Sequence, residues 1–286
     1  TPLFHRVMRR LSPEAVAALH DLSLAPLPLA SPALKRLYRD PAPLQELRDA
    51  SMLAAYRKRV QLLPMVAALV RQQLSPDQIR QAEDRLIEAL KHWLEKDIAN
   101  KKEKGLVLTE LACLLLRQYR LLETAELVLY HGWLSYHAGQ ILRLARRVQQ
   151  VLAEHPWTSP ETDIEAESGA LFLHYYLAPY LGETIDAQKR GEDYERIYAW
   201  VASGQLKVTP LMEVHLVDHL MINRMNGDRY EEAQRILEGC FTRLASLLAG
   251  DAELHATLLT KRASLYSEWS GYAESLGQVE EMKRMR

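Results

Sequence analysis

The stretch Leu106–Leu152 reads LVLTELACLLLRQYRLLETAELVLYHGWLSYHAGQILRLARRVQQVL and contains no proline. Its apolar residues return every three or four positions: Leu108, Leu111, Cys113–Leu116, then Leu121, Leu122, Ala125 and Leu127–Leu129. That is the period of a helix, because a strand would alternate every second residue. Polar breaks at Gln118–Arg120 and Gly139–Gln140 divide the stretch into three helices. Each is too apolar to stand alone and must bury a face on both sides, as in a stacked helical array.

The rest of the chain fits that frame. Among 286 residues, 48% are hydrophobic, enough for a sizeable core, and the helix formers Leu, Ala, Glu and Arg dominate. β-Branched runs are nearly absent, and Arg59–Leu63 is about the only strand-like segment, so the fold class is all-α or nearly so. Charge is uneven. Residues 1–75 hold 11 Lys and Arg against 5 Asp and Glu, whereas the remainder holds 25 against 32. A basic N-terminal module docked on an acidic array explains this better than a nucleic-acid surface, since the positive charges are spread along the sequence. Cys113 and Cys240 sit in apolar helical contexts and read as small core residues of a reducing compartment. With no secretory signal and no long uncharged span, a soluble cytoplasmic protein is expected. The start at Thr1, without Met, suggests a piece of a longer polypeptide.

Helix starts are marked by Ser12-Pro13, Ser31-Pro32, Ser75-Pro76, Ser159-Pro160 and Thr209-Pro210, each a hydroxyl cap followed by proline in the first turn. Before Ser75 this predicts helices at 12–24, 32–39 and 43–56, a basic turn Arg57-Lys58-Arg59, a strand at Val60–Leu63 and a helix at Met65–Leu74. Helices without strands then follow, with a solvated turn at Asn100–Gly105, a linker at His155–Pro160, a helix at 161–182 and a terminal pair at 254–269 and 272–285. Gly191-Glu-Asp-Tyr-Glu-Arg-Ile197 aligns with Gly227-Asp-Arg-Tyr-Glu-Glu-Ala233, 36 residues on, and Gly139–Ala145 has the same offset of six from glycine to a small or apolar residue. Glycine there permits a left-handed turn between helices, and the small residue lets the next helix approach. A period in the thirties with this pattern resembles tetratricopeptide repeats. The domains expected are 1–75, a winged-helix-like module, and 76–286, a tetratricopeptide-like superhelix of antiparallel helical hairpins, with 155–160 as a further break.

The N-terminal third carries a second resemblance. Its segments LRDASML and RVQLLPMVAALVRQQLSP are similar to the pattern L-x-x-x-S-L-L, then Y-x-L-H-P-L-V-R-x-x-L, of the winged helix that follows the nucleotide-binding core in STAND-class signalling NTPases. Leu47, Ser51, Leu53, Leu62, Pro64, Val66 and Leu69 match it. The resemblance implies a module between an upstream ATPase and a repeat array that senses a partner. The family's phosphate-touching histidine falls at Leu63, which donates no hydrogen bond.

No recognisable catalytic motif is present. G-x-x-x-x-G-K-[ST], G-x-G-x-x-G, H-E-x-x-H, C-x-x-C and G-x-S-x-G are all missing, and none of the 10 histidines has Glu three residues before it. The chain is therefore expected to be non-catalytic and to need no cofactor. Tyr130, Trp133 and His137 share one helical stripe, and Tyr175, Tyr176 and Tyr180 lie on a later helix. Together with Arg143 and Arg147, they are the candidate groove for a protein or peptide partner, because polar-tipped aromatics and arginines supply such contacts; with Arg146 these arginines make a basic patch next to the aromatics. Ordinary helix packing is the competing explanation. The first alternative is a DNA-binding regulator that uses Arg57, Lys58 and Arg59. The second is a metal-dependent helical enzyme built on His215 and His219, four apart on one helix. Core histidines edging an apolar face formed by Leu211, Val214, Val217 and Leu220 are the simpler reading of that pair. Nucleic acid and membrane are not expected as partners.

Overall fold

The computed structural model describes residues 2–56, 58–96, 100–154 and 163–275. Helices hold 78% of the chain and strands 3%, which makes it all-α with a minor sheet. It parts into two compact units, 1–156 and 157–286. The expected linker at His155–Pro160 lies outside the described residues.

The first unit opens with α1 (Pro2–Met8), α2 (Pro13–Leu24), β1 (Leu29–Ala30), α3 (Ser31–Leu37), α4 (Ala42–Asp49), β2 (Leu53–Tyr56), β3 (Arg59–Leu62) and α5 (Pro64–Arg71). The strands form an antiparallel sheet in the order β1-β3-β2, with Leu53 opposite Leu62 and Leu29 opposite Val60. The helix expected over 43–56 is thus cut short. Ser51 takes φ 56°, the chain reverses, and Ala54 and Ala55, poor strand formers, are drawn into β2 by pairing with β3. Asp21 is buried, accepts hydrogen bonds from Arg85 at 2.7 and 3.0 Å and from the Tyr38 hydroxyl at 3.3 Å, and so ties α2 to α6 (Pro76–Glu95). Ser75 caps α6 in a reciprocal pair with Gln78. Helix α6 packs on α2 and α3, and one apolar core runs from Phe4 through Leu90 and Leu115 to Leu134.

The organising stretch forms α7 (Lys101–Arg117), α8 (Leu121–His137) and α9 (Ile141–Glu154), broken where the polar residues stand. Gly139 takes the left-handed φ of 69° at the second break. The solvated turn expected at Asn100–Gly105 is instead the first turn of α7. The Asn100 side chain accepts from the Lys102 and Glu103 amides and starts the helix early. Gly105 is consequently buried at the crossing with α8. A Cβ placed on it would lie 2.2 Å from the Leu134 carbonyl oxygen and 2.7 Å from the Ala138 Cβ. One turn on, the Thr109 and Ser135 hydroxyls hydrogen-bond across the same seam at 2.9 Å, both fully buried.

The second unit contains α10 (Ile164–Leu177), a 3-10 turn at Ala178–Leu181, α11 (Ala187–Ala202), α12 (Pro210–Met225), α13 (Tyr230–Leu248) and α14 (Ala252–Ser275). Three sequence expectations are corrected here. Gly191 is not a turn glycine. Asp186 caps α11 five residues earlier, which puts Gly191 inside the helix, against Asn223. At the α12–α13 turn, Asp228 rather than Gly227 takes the positive φ, at 57°. The terminal pair is also merged: α14 runs unbroken through Gly271, and residues 276–286 lie outside the described residues. The two units nevertheless share a packing pattern. In the first, α7 touches both α8 and α9; in the second, α12 touches both α13 and α14.

Candidate partner-binding surfaces

On α8, Tyr130, Trp133 and His137 do share a stripe, and it faces outward. Tyr130 is 43% exposed and Trp133 46% exposed, with Tyr136 beside them more exposed still. The His137 ring meets the Trp133 ring edge-on at 5.6 Å, and the Lys101 ammonium sits 5.5 Å from the Trp133 ring centre.

Arg143 and Arg147 belong to a different surface. With Glu110, Cys113, Arg117, Arg146 and Gln150 they line a cleft of about 350 Å³ between α7 and α9. The spacing explains it. Positions 110, 113 and 117 form one face of α7, and 143, 146, 147 and 150 form one face of α9. Arg143 donates to Glu110 at 2.5 Å, Arg117 donates to the buried Glu83 at 3.0 Å, and Arg147 donates to Gln150 at 2.7 Å. Arg146 makes no hydrogen bond or ion pair among the described residues and is exposed. Burial lifts the Cys113 thiol above its ordinary range; Glu110 adds to this, and Arg143 opposes it. Sequence reasoning found Arg143, Arg146 and Arg147 but missed Arg117 and Cys113, which complete the cleft from the neighbouring helix.

In the second unit, Tyr175 turns inward. Its hydroxyl donates to the buried Asp193 at 2.5 Å, and its ring meets Tyr194 edge-on. Burial first, then that hydrogen bond, raises its pKa. Asp193 also accepts from Arg196 at 3.1 Å. Tyr176 is half-buried, with its ring 6.3 Å from that of the exposed Tyr180. A second cleft, of about 460 Å³, is lined by Glu195, Tyr198, Arg224, Glu232 and Arg235 among others, and its two acids balance its two arginines.

His215 and His219 stack edge-on at 4.6 Å inside an aromatic box, with Phe172 near the first and Tyr194 near the second. Burial, then its neighbour His219, pushes His215 down to about 4; burial and then Arg190 lower His219. Among the described residues no group of three His, Cys, Asp or Glu side chains could hold a metal. Of the basic turn, Arg57 lies outside the described residues, and Lys58 takes φ 66° between β2 and β3. Arg59 is paired with Glu103 at 2.9 Å, its guanidinium 6.0 Å from the Trp93 ring centre.

No family model matches the chain, and no curated protein compared with it does either. The crystal structure of a signal transduction ATPase with numerous domains (STAND) protein with a tetratricopeptide repeat sensor, from Pyrococcus horikoshii, is similar across 99% of this chain, at 12% identity and a TM-score of 0.36. The match covers 51% of that protein, so this chain spans about half its length. Among the described residues no helix is long and apolar enough to cross a membrane.

Proposed function

We propose that this chain is the non-catalytic sensing module of a STAND-type signalling ATPase. In this reading a winged-helix-like module is followed by tetratricopeptide-like hairpins, which bind a protein or peptide and hold the ATPase inactive until they do. The observation that carries the reading is the recurring triplet, in which the first helix contacts both its hairpin partner and the third helix, as α7 does with α8 and α9 and α12 with α13 and α14. Stacked hairpins of that kind leave the first and third helices side by side, a surface suited to a guest. The element order before Ser75 supports the winged-helix part: within it α2, α3 and α4 alternate with three strands as α2-β1-α3-α4-β2-β3, and the sheet order is β1-β3-β2. Next to it, Leu63 and Met65 at the start of α5 are 39% and 76% exposed, apolar side chains in the segment 57–74, which in this reading couples the array to the ATPase.

DNA reading is the weaker use of this module. Helix α4, the helix just before the β2–β3 hairpin, carries Glu46 and Asp49 against a single Arg48, and a phosphate backbone attracts the opposite balance. Arg59 is already engaged with Glu103.

The test uses the polypeptide that carries this chain. The reading expects a P-loop NTPase upstream, and Leu63→Asp with Met65→Asp raises its basal ATP turnover several-fold. An upstream segment without a nucleotide-binding loop refutes the reading, and so does turnover that the double change leaves alone.

A further inference from the structure

We infer that the α7–α9 cleft is a receptor for an acidic peptide segment in extended conformation. The inference rests on the array being a partner sensor and names the chemistry of the partner. It starts from the imbalance of charge. Four arginines line the cleft, and the only acid among its lining residues is Glu110, held by Arg143. Glu83 answers Arg117 from behind. Arg146 and Arg147 have no acid partner among the described residues: one is exposed without a polar contact, and the other bonds only the neutral Gln150. Two positive charges without an acid partner therefore line one concave surface, which favours the approach of an anion. The charge-balanced cleft of the second unit has no such need.

Shape selects among anions. Glu110 to Arg117 on α7, and Arg143 to Gln150 on α9, each span seven residues, about 10 Å of helix. An extended chain covers that length in about three residues. A lone phosphate would reach one pair of guanidiniums and leave the rest of the cleft bare. Acidic side chains that alternate along an extended segment face both walls and reach Arg146 and Arg147, and arginine's planar fork meets a carboxylate with two parallel N–H bonds. Cys113, also in the lining, offers the peptide backbone an apolar contact.

The experiment is fluorescence anisotropy of a labelled hexaglutamate peptide with the full chain. Binding is expected, and Arg146→Glu with Arg147→Glu weakens it by at least about tenfold. Neither side chain holds an acid of the fold, and unchanged far-ultraviolet circular dichroism confirms that the variant is folded. Arg71→Glu, an exposed charge reversal on α5, leaves binding within about twofold. No binding by the wild-type chain overturns the inference, as does an equal loss in Arg71→Glu, which would make the attraction general. Inorganic phosphate displacing the peptide at sub-millimolar concentration also overturns it and makes the cleft a phosphate site. Failure here leaves the sensor reading standing, because turnover in the Leu63 and Met65 variants does not depend on the cleft.

Discussion

Gly105→Ala is the substitution on which ordinary helix reasoning and this structure disagree most. Gly105 lies in the second turn of a 17-residue helix, where alanine should add up to about 1 kcal/mol. The α7–α8 crossing reverses that sign. The added Cβ would sit 2.2 Å from the Leu134 carbonyl oxygen, 2.8 Å from its carbonyl carbon and 2.7 Å from the Ala138 Cβ. Carbon contacts are comfortable near about 3.5–4 Å, and a backbone carbonyl cannot rotate aside. The helices must separate by about 1 Å, which stretches the buried Thr109–Ser135 hydrogen bond and loosens the apolar contacts along the seam. Overpacking of this kind costs about 1–3 kcal/mol and the weakened hydrogen bond about 1 more, so the net loss is about 2–3 kcal/mol. In a unit of this size that lowers the melting temperature by roughly 5–10 °C. Gly271→Ala is the matched control: Gly271 is also helical, but nothing lies within 4 Å of its added Cβ, so stability rises by up to about 1 kcal/mol. Thermal melts of both variants decide the matter. A Gly105→Ala melting point at or above wild type would refute the crossing argument.

Other outcomes follow from the buried charges and caps. Arg243→Ala leaves the buried Glu213 without its partner at 2.7 Å and costs about 2–3 kcal/mol in urea melts; adding Glu213→Leu recovers most of it. The histidine pair makes the second unit acid-sensitive. His215 is held at about 4 against 6.5 in the unfolded chain, so the neutral form's stability is full above 6.5 and drains away as pH falls towards 4. His219 is shifted the same way, with Asp218, Lys261 and Arg190 as the other charges acting on the pair. By about pH 4.5 the loss from His215 is about 2–3 kcal/mol, and His215→Phe flattens the dependence measured from pH 7 downwards. Ser75→Ala removes the reciprocal cap of α6 and costs about 1 kcal/mol by the same melts.

How far the sequence could be read depended on whether a signal was local. The breaks at Gln118–Arg120 and Gly139–Gln140 were legible because polar residues interrupt a strict helical period, and Ser75 because cap, proline and Gln78 are neighbours. Gly105 was not: Asn100 hides its capping role among lysines, so a helix start looks like a solvated turn. The Gly191 alignment failed because similar residues recur in a different register, which only the position of Asp186 reveals. Strand β2 has no sequence signature and exists by virtue of its partner. At the cleft, one helix announced its arginines as a cluster. The other contributed Arg117 and Cys113 from a stretch whose apolar period had a sufficient explanation in the core.

The central claim is that the cleft between α7 and α9 is an open receptor rather than a filled joint, and Cys113 reports on it directly. Cys113 lines the cleft at 7% exposure, whereas Cys240 is fully buried in the second unit. Alkylation of the folded chain, followed at each thiol by mass spectrometry, should modify Cys113 ahead of Cys240, and hexaglutamate should slow Cys113 several-fold while leaving Cys240 unchanged. Cys113 reacting no faster than Cys240, or at a rate indifferent to the peptide, would contradict the account.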